Sequence, residues 1–161
     1  MEERNIIVRE AKREDMKPVC QLIKDLAKFE ELEDQCKITP EILIHDGFDT
    51  NSPAFKCFVA ETKGAIIGYA IYFISYSTWL GKSTFLEDLY VKPEYRNLGV
   101  GKKLFTSVAK QAQANRSQRL DLHCLSWNNA MSFYKNIGAK NLTECEKWNY
   151  LRIAGEDLKK L

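Results

Sequence analysis

No apolar run in this chain approaches the roughly 18 residues that a membrane-spanning helix needs, and it contains no CxxC pair, internal repeat or low-complexity tract. The opening "MEERNIIVREA" mixes charges and is followed by no apolar stretch of signal-peptide type, so neither a membrane partner nor a secretory route is expected. The expected location is cytoplasmic. The five cysteines (Cys20, Cys36, Cys57, Cys124, Cys145) are odd in number and scattered, which argues against a disulfide framework or a zinc site; no metal is expected. Charge of one sign is also scarce: the formal net charge is +2, with no Lys/Arg stripe, so no nucleic-acid partner is expected. What is present is 161 residues, 45% hydrophobic and 29% charged, enough for one domain over 1–161 with a full core.

The order of elements is mixed. "NIIVREA" reads as a strand, and Asp15 as the N-cap of a helix "MKPVCQLIKDLAKFEEL", in which Val19, Leu22, Ile23, Leu26 and Phe29 recur at helical spacing. "PEILIHDGF" is a weaker helical pattern and "TNSP" a loop. "FKCFVAET" and "AIIGYAIYFISYST", joined at Lys63-Gly64, predict a hairpin, followed by the strand "STFLEDLYV". From Gly101 the period changes: Leu104, Phe105, Val108, Ala109 and Ala112 form the apolar face of an amphipathic helix. "RLDLHCLSW" then predicts a strand, "NNAMSFYKNIG" a short helix ended by Gly138, and "WNYLRIAG" a last strand. The class expected is α+β, with a parallel pair where strand, turn, helix and strand follow one another.

"RNLGVGKKL" lies at that strand-to-helix turn. Helix N-termini present unpaired N–H groups and partial positive charge, and glycines without a Cβ let a phosphate approach the backbone. Gly99 and Gly101 meet that need, with Arg96, Lys102 and Lys103 as nearby charge. A packing turn would use the same glycines. The phosphate loop GxxxxGK[ST] is absent, and "GVGKKL" lacks the third glycine of the dinucleotide fingerprint.

"EYRNLGVGKKL" resembles the Arg/Gln-x-x-Gly-x-Gly/Ala motif of the GNAT superfamily of acetyl-CoA-dependent N-acetyltransferases. Arg96, Gly99 and Gly101 fall on its defined positions. Together with "LIKDLAKFEELEDQ", "YSTWLGKSTFLEDLYVKPEYRNLGVG" and "FYKNIGAKNLTECEKW", the chain is similar over nearly its whole length to the spermidine/spermine N-acetyltransferase subfamily, which includes the thialysine N-acetyltransferases. The resemblance implies the GNAT fold, a central mixed, mostly antiparallel sheet flanked by helices, with acetyl-CoA as cosubstrate, a small amine as substrate and a homodimer.

It also implies roles for particular residues. The backbone of Leu89, Tyr90 and Val91 would pair with the pantetheine arm, Asn97, Leu98, Gly99, Val100, Gly101 and Lys102 would cradle the pyrophosphate with Arg96, and Asn128 would contact coenzyme A. Phe29, Glu30, Asp88, Asp121, Leu122, His123 and Glu146 would lie on the amine side. Glu87 would act as base through a water, and Tyr134 as the acid for the leaving thiol. The chemistry requires such groups: an amine with a pKa near 10.4 costs about 4.6 kcal/mol to deprotonate at pH 7, and the thiolate expelled has a pKa of about 8.5. Strand alternation sends Glu87 and Asp88 to opposite sides, so at most one points easily at a given pocket; a salt-bridged or edge-exposed pair would need neither role.

Two departures from the family pattern stand out. Five residues separate Asn128 from Tyr134 where the family has six, which puts the Asn128 contact in question. In "YSTW", Tyr76 to Trp79, polyamine acetylases carry an acid where Ser77 stands, and this tilts the substrate from polyamines, whose several ammonium groups reward spaced carboxylates, toward thialysine. A non-catalytic coenzyme A module would keep the turn without Glu87 and Tyr134. An interaction domain docking a basic partner through the acidic end of the first helix would need no phosphate turn.

Overall fold

The computed structural model describes residues 5–161. They divide into two compact units, the first ending at His123 and the second Cys124–Leu161.

In the first unit five strands form one sheet in the order β1-β2-β3-β4-β5: β1 Ile7–Glu10, β2 Lys56–Thr62, β3 Ala65–Ser77, β4 Gly81–Val91 and β5 Leu120–Leu122. Pairing is antiparallel from β1 to β4, and β4 and β5 are parallel, as a strand, turn, helix, strand unit demands. On one face Met16, Val19, Leu22 and Leu26 of α1 (Met16–Phe29) and Leu43 of α2 (Pro40–Gly47) bury against Val59, Tyr69, Ile71 and Tyr90. On the other face lies α3 (Val100–Ala114), with Val100, Leu104, Val108 and Ala112 buried. Gly68 belongs to that second face: a Cβ there would stand 2.8 Å from the Tyr90 carbonyl oxygen and 3.3 Å from Leu104 Cδ1.

Asp15 stands at the N-cap position of α1, as expected, but its side chain makes no capping hydrogen bond to that helix. A 3-10 turn, Arg13–Asp15, precedes α1, and the Asp15 carboxylate instead accepts the Lys12 N–H at 2.7 Å and both terminal nitrogens of Arg9, whose Nε bonds Glu61. The Arg9 guanidinium holds the Asp15 carboxyl below its ordinary value. Three charged side chains, Arg9, Asp15 and Glu61, therefore join β1, β2 and the start of α1.

The second unit contains α4 (Ala130–Asn136), α5 (Leu142–Glu146) and α6 (Glu156–Lys159). Gly138, at φ 99°, follows α4, and the N–H of Ala139 returns to the Tyr134 carbonyl, a left-handed helix ending of the kind expected. Two sequence expectations fail. "RLDLHCLSW" shrinks to the three residues of β5, and "WNYLRIAG" is irregular, with Trp148, Tyr150, Leu151 and Ile153 exposed. A period-2 apolar pattern records which side chains seek cover, but a strand also needs a ladder partner, and among the described residues this segment has none.

Candidate active site

The β3–β4 pairing contains a bulge at the two adjacent acids. Ile71 faces Asp88 and Tyr72 faces Leu86, so Glu87 is the extra residue. Because cross-strand partners share a face, Phe85, Asp88 and Tyr90 lie with Phe73, Ile71 and Tyr69, while Leu86 and Leu89 lie with Tyr72 and Ala70. The alternation that would place Asp88 on the same face as Leu86 is thus broken at the bulge.

Asp88 is half-buried on the α1 side, and Tyr69, fully buried in β3, donates its hydroxyl to Asp88 Oδ2 at 2.9 Å. Burial, opposed by the Tyr69 hydrogen bond and reinforced by the negative charges of Glu87 and Glu30, pushes the Asp88 carboxyl up to about 6. Burial also raises the Glu30 carboxyl, just past the end of α1. Glu87 is exposed. No ion pair with a cationic side chain neutralises Glu30, Glu87 or Asp88 among the described residues. Three carboxylates without a protein cation form a place suited to an ammonium group.

β5 pairs only with Thr84, Phe85 and Leu86 of β4. From Glu87 onward that edge has no strand partner among the described residues, and Leu89, Tyr90 and Val91 bond only toward β3 there. Beyond Val91, a 3-10 turn Pro93–Tyr95 leads into the glycine turn, where Asn97 (φ 61°) and Gly99 (φ 77°) are left-handed. A Cβ on Gly99 would meet nothing within 4 Å. Lys103 N–H is the first in this turn of α3 to reach back, to the Gly99 carbonyl, so the amides of Val100, Gly101 and Lys102 point forward as an anion cradle. Leu98 is exposed. Such a cradle suits a phosphate group.

Arg96 does something sequence reasoning missed. Its Nε donates to the Val91 carbonyl at 2.9 Å, and its guanidinium lies 5.3 Å from the centre of the Phe29 ring and 5.5 Å from that of Tyr90. It ties the glycine turn to the end of β4 and to the end of α1, leaving only its terminal nitrogens for a phosphate. Phe29 is correspondingly a stacking surface for Arg96. Asp121 accepts Arg119 Nε at 2.7 Å, Leu122 is half-buried in β5, and His123, just beyond β5, packs edge-on to Phe85 at 4.9 Å.

In the second unit Tyr134 is buried on α4, edge-on to Phe133 at 5.2 Å. Asn128 Oδ1 accepts the Ala130 N–H at 2.9 Å, which commits its oxygen to the start of α4 and leaves its amide N–H groups. Glu146 accepts the Trp148 indole N–H at 2.7 Å.

An unpaired edge of β4 beside an amide cradle, with uncompensated carboxylates on β4 and just past α1, is an arrangement suited to an anionic carrier next to a cationic acceptor. Residues 20–139 match the model of the acetyltransferase (GNAT) family, and the chain belongs to that family. It is 43% identical to the thialysine N-epsilon-acetyltransferase of Bos taurus, the match covering 97% of this chain and 96% of that one. It is 31% identical to the spermidine/spermine N(1)-acetyltransferase-like protein 1 of Homo sapiens over 94% of this chain and 23% of that one. A solved integron cassette protein from the mobile metagenome of V. cholerae has the same fold, with a TM-score of 0.77 at 24% identity and 98% coverage of both chains. The chain is an acetyl-CoA-dependent N-acetyltransferase, which sets aside a binding module without chemistry.

Proposed function

We propose that the acceptor is the primary amine of a small lysine-like molecule, thialysine, acetylated by direct attack on acetyl-CoA. The observation that carries this reading is the likeness to the cattle thialysine enzyme along nearly the whole chain. The uncompensated carboxylates of Glu30, Glu87 and Asp88 support it, as seats for an ammonium group. Acetyl-CoA supplies the activated carbonyl and the thiol leaving group.

The chain's residues do the rest. The backbone of Leu89, Tyr90 and Val91 would hold the pantetheine arm, Arg96 with the 97–102 turn would receive the pyrophosphate, and Asn128 would offer its amide N–H groups. The ammonium would sit among Glu30, Glu87 and Asp88, and the resemblance assigns Phe29, Asp121, Leu122, His123 and Glu146 to the amine side. One of the adjacent acids removes its proton; the resemblance singles out Glu87. Tyr134 protonates the departing thiolate. The enzyme works as one domain in a cytoplasmic homodimer, without a metal and without a nucleic-acid or membrane partner.

Polyamine acetylation is the second reading, favoured by the likeness to the human spermidine/spermine protein. Against it, Ser77 is buried and its Oγ accepts the N–H groups of Trp79 and Leu80, closing the β3–β4 turn. A second ammonium finds no carboxylate there. Incubation with acetyl-CoA and thialysine should yield a product carrying one acetyl group on the side-chain amine by mass spectrometry. Bound acetyl-CoA with no acetylated amine would contradict the proposal.

A further inference from the structure

The resemblance puts Phe29 beside the amine, yet its ring lies against the arginine of the glycine turn. We infer that Phe29 is a positioning residue for coenzyme A: its ring fixes the plane of the Arg96 guanidinium, so that the terminal nitrogens face the pyrophosphate before the carrier arrives. This rests on the reading that Arg96 and the 97–102 turn receive the pyrophosphate, and adds to it a contact from α1.

A solvated arginine samples many rotamers, and immobilising it on a ligand costs binding energy. Arg96 is already held on three sides, by the Val91 carbonyl at 2.9 Å from Nε, by the Tyr90 ring with its centre at 5.5 Å and by the Phe29 ring at 5.3 Å. The single hydrogen bond fixes where the fork begins but leaves the tilt of its plane open. The rings set that tilt, since a guanidinium is attracted to an aromatic face. Because the guanidinium is planar, its terminal nitrogens follow the tilt, and a phosphate must use those nitrogens once Nε is committed to Val91.

The two rings differ in what holds them. Tyr90 is buried in β4, the strand that leads into the turn, and belongs to the sheet core. Phe29 is the last residue of α1 and 42% exposed. That helix buries Met16, Val19, Cys20, Leu22 and Leu26, so the core does not depend on an aromatic ring at position 29. Arg96 does. The phosphate turn and the end of α1, where Glu30 follows Phe29, are thereby fixed against each other.

The test is calorimetric binding of coenzyme A to the full chain, without amine, in the wild type, Phe29→Leu, Phe29→Tyr, Arg96→Ala and the variant carrying both Phe29→Leu and Arg96→Ala. Phe29→Leu keeps an apolar side chain without a ring face and should weaken binding about threefold to tenfold, the cost of immobilising one long side chain. Phe29→Tyr restores the ring and should bind within about twofold of the wild type. Arg96→Ala should weaken binding about tenfold or more. In that background Phe29→Leu should add less than about twofold, because both act through one contact. Wild-type affinity in Phe29→Leu, a loss as large in Phe29→Tyr, or equal losses from Phe29→Leu with and without Arg96 would each overturn the inference while leaving the turn's role intact. Wild-type affinity in Arg96→Ala would sink the placement of the pyrophosphate beside Arg96, and the inference with it. Should Phe29→Leu fold poorly, nitrogen-15 relaxation of Arg96 Nε–H in the free wild type decides: an order parameter near about 0.85 supports the inference, and one below about 0.6 overturns it.

Discussion

At the scale of single residues, the site is built from side chains that do two things at once. Arg96 braces the glycine turn through Val91, Phe29 and Tyr90, and Asp88 is oriented by Tyr69 at the expense of burying charge. The second has a measurable consequence for stability. Folding raises the Asp88 pKa from 3.8 to about 6, so the folded state binds the proton more tightly than the unfolded one. The stabilisation this gives is full below the unfolded carboxylate range and is lost as pH rises through about 6. Asp88→Asn, neutral at every pH and still able to accept from Tyr69, should therefore be more stable than the wild type by about 2 kcal/mol at pH 7.5, with most of the gain gone at pH 4. Urea unfolding at the two pH values checks this, and an equal difference at both would refute it.

Among the elements, β4 does the most to position the site, because its bulge turns Asp88 toward Tyr69 while its pairing with β5 stops at Leu86. The strand itself was plain in "STFLEDLYV", and so were the glycine turn and α3 behind it. The bulge was not, since an extra residue changes the alternation without changing composition, and nothing in "LED" marks which partner is skipped. Arg96 was legible as a charge near phosphate but not as a brace, because its ring partner Phe29 lies 67 residues earlier in the chain. Gly68 of β3 shows how closely β4 and α3 are seated here: an added Cβ would press the Tyr90 carbonyl at 2.8 Å, Val91 Cγ2 at 3.2 Å and Leu104 Cδ1 of α3 at 3.3 Å. Gly68→Ala should cost about 1–3 kcal/mol and raise the KM for acetyl-CoA by moving the Val91 end of β4 against the turn. Calorimetric unfolding with acetyl-CoA kinetics would show it; an unchanged Tm and KM would mean the contact relaxes freely.

Across the whole molecule, the order of elements up to β5 follows from hydrophobic period and turn residues, since each segment's apolar face finds cover within the first unit. The last forty residues are less legible. "WNYLRIAG" has the pattern of a strand, yet Tyr150 and Leu151 stand exposed, and α5 occupies "LTECE", where the sequence shows no helical period. Substrate choice is also a property of the whole chain, because it depends on where carboxylates are absent as much as on where they cluster. Ser77 closes a turn where the resemblance gives polyamine enzymes an acid, while Glu30, Glu87 and Asp88 gather elsewhere. The most direct measurement is kcat/KM for thialysine, lysine, spermidine and spermine at a fixed saturating acetyl-CoA concentration. The account predicts thialysine ahead of spermidine by about tenfold or more, roughly 1.4 kcal/mol of transition-state discrimination. Spermidine at or above thialysine would contradict it.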